Sequence, residues 1–94
     1  MSVAEHISAM NTVLQRARAG DIALSEVAGQ LRRHVVQVMG TALRFGYNPT
    51  FAEMDRNFSE AVAAIETDPT LPNLAALEVR FILYRAAAPE GGSP

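Results

Sequence analysis

Few side chains in this chain are placed to do chemistry. His6 and His34 have no acidic or second histidine one helical turn away, and Glu5, beside His6, points to a different face. No metal-ligand set is therefore expected, and both histidines read as surface or partly buried groups. Ser2, Ser8, Ser25, Ser59 and Ser93 lie in no Gly-x-Ser-x-Gly turn that would expose a nucleophile. The glycine pair Gly91-Gly92 lies in a terminal stretch rather than ahead of a helix, so it is no phosphate cradle. Cysteine is absent, which removes disulfides, thiolate metal sites and cysteine nucleophiles. The remaining carboxylates with neighbours of their own kind, Asp55, Glu60 and Glu66, share the polar face of one helical stretch with Arg56 and read as a solvated surface. The expectation is a noncatalytic protein without a cofactor.

Charge narrows the partners. The net charge is −2 over 94 residues, and every cation is arginine. Residues 1–46 carry five arginines against Glu5, Asp21 and Glu26, a net +2, while residues 47–94 carry three against seven acids, a net −4. This mild polarity argues against nucleic acid as the main partner. No apolar run is long enough to span a bilayer, and the N-terminus lacks a basic segment followed by an apolar one. A cytoplasmic protein is expected.

Apolar periodicity predicts four helices and no strand, an all-α bundle with one domain over residues 1–88 and a flexible tail over 89–94. Over 2–18, Val3, Ile7, Met10, Leu14 and Ala17 form one stripe, with Ser2 and Glu5 as a capping box, Arg16 and Arg18 in the last turn and Gly20 as the stop. Over 22–45, Leu24, Ala28, Leu31, Val35, Val38, Ala42 and Phe45 alternate steps of four and three. Asp21 or Ser25 is its expected cap and Gly46 its stop. Gly29 and Gly40 share a face of it and mark either tolerated flexibility or the close approach of another helix. Over 50–66, Phe51, Met54, Phe58, Val62 and Ile65 form the stripe, with Thr50 and Glu53 as a second capping box. Over 72–87, Leu74, Leu77, Phe81 and Tyr84 line one face, but Val79, Ile82 and Leu83 make the helix apolar nearly all round. Such a helix is either central or covered by a partner.

Between the last two helices, Asp68-Pro69-Thr70-Leu71-Pro72 reads as a stiff αα-corner, because each proline fixes φ and Asp68 or Thr70 can cap. Together with Ala61-Val62-Ala63-Ala64-Ile65 before it, and Leu74-Ala75-Ala76-Leu77 and Leu83-Tyr84-Arg85-Ala86-Ala87 after it, this corner resembles the needle subunits of type III secretion systems and their small helical chaperone relatives. The resemblance covers residues 58–87; the first 50 residues have no counterpart in that family. It implies a helical hairpin, and a bacterial secretion chaperone or structural subunit.

The leading functional expectation is a helical protein–protein interaction module, binding another protein or itself through apolar helix faces, or a small regulator that sequesters a partner. Its contact residues are expected on the 24–45 seam: Leu24, Leu31, Val35, Val38 and Phe45, rimmed by Arg32, Arg33 and Arg44. If that seam is internal, the outer face of the last helix, Val79, Ile82 and Leu83, takes its place. The alternative is a DNA-binding regulator using residues 24–45, since Leu24 to Leu31 resembles the first helix of a helix-turn-helix. Against it, the seam runs through Arg32-Arg33-His34 with no turn signal. A small-ligand pocket among Phe51, Met54, Phe58, Phe81 and Tyr84 is the third reading, with ordinary core packing as its plain counterpart.

Overall fold

The computed structural model describes residues 1–45 and 48–89. Among them are four helices, α1 (Val3–Ala19), α2 (Leu24–Arg44), α3 (Pro49–Thr67) and α4 (Leu71–Ala87), and no strand. The fold is the small all-α bundle the periodicity predicts. Gly46, expected to stop the second helix, and residues 90–94 of the expected tail lie outside the described residues.

Helix starts follow from local chemistry. Ser2 and Glu5 form the capping box, each satisfying the other's free backbone N–H. Gly20 ends α1 at φ 84°, a left-handed conformation that glycine adopts without a Cβ clash. Two caps differ from expectation. α2 is capped by Ala23 with no side-chain hydrogen bond; Asp21 and Ile22 belong to the preceding turn, and Ser25 is already helical. α3 is capped two residues before the expected Thr50: Asn48 Oδ1 accepts from the N–H groups of Thr50 and Phe51, and Pro49 occupies the first turn, where its missing N–H costs nothing.

The α3–α4 corner is held by backbone and side chain together. Asp68 N–H donates to Ala64 O and Thr70 N–H to Asp68 O, both at 2.9 Å. Thr70 Oγ1 caps α4 by accepting from Asn73 N–H. Asn73 then reaches back, its Nδ2 donating to Asp68 O at 2.8 Å, which satisfies a carbonyl at the end of the preceding helix.

Neighbouring helices pack α1 on α2, α2 on α3 and α3 on α4, while α1 and α4 meet only lightly. Met10, Leu14, Val27, Leu31, Val38, Phe51, Phe58, Ile65, Leu74, Leu77, Phe81 and Tyr84 form one shared core. The molecule is elongated, 37 × 22 × 17 Å. Its aromatic centre lies between α3 and α4: Phe58 stacks on Tyr84 at 4.6 Å between ring centroids, with Phe51 5.3 Å from Tyr84 and Phe81 5.7 Å from Phe58.

Candidate functional site: the outer face of α4 and its groove with α1

α4 buries Leu74, Leu77, Phe81 and Tyr84, spaced three, four and three apart, so one narrow stripe enters the core. Ala75, Ala76, Val79, Ile82, Leu83 and Ala86 fall on the opposite side and are exposed. Val79, Ile82 and Leu83 keep 57, 54 and 45 % of their surface accessible, and Leu71 at the start of the helix is similarly open. α4 therefore lies at the edge of the bundle with apolar surface on both sides. An exposed row of aliphatic side chains on one helix is the kind of patch that marks interaction surfaces.

The seam of α2 has gone inward. Leu31 and Val38 are fully buried, and Leu24 and Val35 are half-buried against the same core. They offer a second molecule little or nothing. Of that set only Phe45, just past the end of α2, is exposed, at 62 %. Arg32 forms an ion pair with Glu66 of α3 and so bridges two helices, while Arg33 and Arg44 are exposed. Val36 and Leu43, seven residues apart on the outer side of α2, are exposed apolar residues that the seam pattern overlooks. A side chain at Gly29 or Gly40 would meet nothing within 4 Å, so neither glycine admits a neighbouring helix of this chain.

Between α1 and α4 the light packing leaves a groove. One cavity of about 630 Å³ is lined by Val3, Ile7, Asn11, Arg85 and Pro89 among others. A second, of about 420 Å³, is lined by Leu14, Arg18, Glu78, Phe81 and Ile82. Both include Asn11 and Arg85, which makes them one continuous feature. Arg18 of α1 and Glu78 of α4 form an ion pair across its far end. That contact keeps the Glu78 partner, Arg18, above the usual guanidinium range through its hydrogen bond. Arg85 lies over the Phe81 ring, its guanidinium carbon 5.8 Å from the centroid.

The aromatic residues proposed as a ligand pocket are core. Phe51, Phe58, Phe81 and Tyr84 are almost completely buried against one another, and of the four only Phe81 borders the groove. Two buried polar atoms there, Tyr84 Oη and Asp55 Oδ1, have no hydrogen-bond partner among the described residues. Burial raises the titration of both groups, and for Tyr84 the nearby Asp55 charge adds to it.

The histidines, unremarkable in sequence, meet across α1 and α2. Their Nδ1 atoms are 2.9 Å apart and their ring centroids 5.1 Å, so the rings face nearly head-on, as one N–H···N hydrogen bond requires. Burial, and then the facing His34 ring, push the His6 imidazole below its ordinary range. The pair was invisible locally because its partners are on different helices. A signal existed: if Val3 lies level with Val38 and Met10 with Leu31 in an antiparallel pair, His6 falls level with Val35, one residue from His34. Among the described residues no group of three or more acidic or histidine side chains gathers as a metal site.

α2 runs from Leu24 to Arg44 without interruption, so Leu24–Leu31 is not followed by the turn of a helix-turn-helix. Among the described residues no helix is long and apolar enough to cross a membrane. Comparison of the chain with protein-family models, with curated proteins and with solved structures found no match.

Proposed function

We propose that this protein is a noncatalytic helical interaction module that binds another protein through the outer face of α4. The observation that carries the reading is the exposed aliphatic row Val79, Ile82 and Leu83, on a helix whose other side already fills the core. Folding leaves about half of each of these side chains exposed, an apolar area that a partner would remove from water at about 25 cal/mol per Å². The resemblance of residues 58–87 to type III secretion needle subunits and their chaperones makes a chaperone or structural subunit of a bacterial secretion apparatus the finer reading. A cytoplasmic setting and hetero- or homo-oligomeric binding belong to the same proposal, as does a regulator that works by sequestering its partner.

The test is a paired substitution. Val79→Asp with Leu83→Asp leaves the core untouched and is expected to abolish co-purification of a specific partner from the native host while helical content and melting are kept. Retention of the same partner by the doubly substituted protein would remove α4 as the binding face. Light scattering decides the self-association form: a protein that stays monomeric at high concentration binds a different chain.

A further inference from the structure

We infer that the groove between α1 and α4 seats an amphipathic helix of another protein, with a carboxylate on the inserted face directed at Arg85. The inference rests on the interaction-module reading and specifies where and what the partner is. The groove extends along α1 from Ser2 to Ala19, which at about 1.5 Å per residue is roughly 25 Å, the length of a helix of about 16 residues. Its stretch along Leu14, Phe81 and Ile82 is mainly apolar, while the stretch toward Pro89 mixes Val3 and Ile7 with Ser2, Ser8 and Asn11; the open lip is Ile82, the residue through which the groove joins the exposed face of α4. A helix laid in a hydrophobic groove is a recurrent recognition mode, read by anchors three and four residues apart.

Charge selects the occupant. α1 and α4 carry Arg16, Arg18, Arg80 and Arg85 against Glu5 and Glu78, a net +2 on the two helices that bound the groove, in a chain whose net charge is −2. Arg18 is matched by Glu78. Arg85, midway along the groove and common to both cavities, has no carboxylate partner among the described residues and is held in place over Phe81. A planar guanidinium so positioned favours bidentate pairing with a carboxylate. A second copy of this chain does not fit. Its acidic helix is α3, with Glu53, Asp55, Glu60 and Glu66 against Arg56, and the apolar face of α3 is consumed by its own core. The occupant is therefore another protein's helix, apolar at successive turns and acidic at one of them.

A display library of helical peptides about 16 residues long, selected on the intact protein, tests this. The expected binders share apolar residues at i, i+3 or i+4, and i+7, with Asp or Glu at one constant position. Their binding weakens with salt, and their amide-shift perturbations centre on Ile7, Asn11 and Ile82. Arg85→Glu is expected to lower their affinity at least tenfold, and a Lys at the constant acidic position of the peptide to restore it on that variant alone. Ile82→Arg, at an exposed site, blocks the groove without touching the core and should lose all of them. Binders without a constant acid, or with shifts centred on Val79 and Leu83 away from the groove, would overturn this inference while leaving the interaction module intact. Selection of no binder at all would overturn both.

Discussion

Single residues carry consequences that their types alone do not announce. Tyr84 is fully buried with a hydroxyl that finds no partner among the described residues, so within them the oxygen has lost water and gained no hydrogen bond. Tyr84→Phe should leave the melting temperature equal or higher; a loss above about 1 kcal/mol by chemical denaturation would mean that the hydroxyl holds a partner in solution. The His6–His34 contact makes a pH prediction. The folded His6 value is depressed below the ordinary 6.5, so the folded state binds fewer protons than the unfolded chain. Its stabilising contribution is complete above about pH 6.5 and is lost as the pH falls toward the depressed value. Melting scans between about pH 7.5 and pH 5 should show a decline that His6→Gln flattens. Glu5 and Glu66, held below the ordinary 4.5 by hydrogen bonds from Ser2 and Arg32, act only at lower pH and do not confuse that window. An identical decline in His6→Gln would place the pH sensitivity elsewhere.

Elements differ in how completely their ends are specified. Ser2, Asn48 and Thr70 each accept backbone N–H groups at the start of a helix, whereas Ala23 offers no side-chain acceptor. Ala23→Asp should therefore stabilise α2 by about 1 kcal/mol, and Asn48→Ala should cost α3 a similar amount. Equilibrium denaturation of the two variants, changed in opposite directions, checks both. Apolar periodicity set out the four helices to within two residues at each described end, because a helix of this size is stabilised by one stripe that every turn reports. The caps were less legible. Asp21, Ser25 and Thr50 are all plausible acceptors in sequence, but the turn geometry gave the cap positions to Ala23 and Asn48. Asn73 was unread because its two acceptors lie across the corner, on the far side of Pro69.

At the scale of the whole molecule, the division between core and surface is the result that bears on function. Leu31 and Val79 are both aliphatic and both helical, yet one is fully buried and the other 57 % exposed. Leu31→Asp should unfold the protein by burying an unpaired carboxylate, while Val79→Asp should change stability by no more than about 0.5 kcal/mol. Circular-dichroism melts of the pair separate them, and equal melting would contradict this assignment of core and surface. What the sequence determined by itself was the all-α class, the four stripes, the stiff corner and the want of catalytic or metal-binding motifs, all of which depend on residues within a few positions of one another. Whether the α2 seam or the outer face of α4 is free was decided only by tertiary packing. Both stripes are apolar at helical spacing, and only the placement of α2 between α1 and α3, with α4 left at the edge and lightly joined to α1, gives one of them a partner within the chain. The histidine pair and the Arg85 groove arise in the same way, from side chains that sequence distance keeps apart and helix packing brings together.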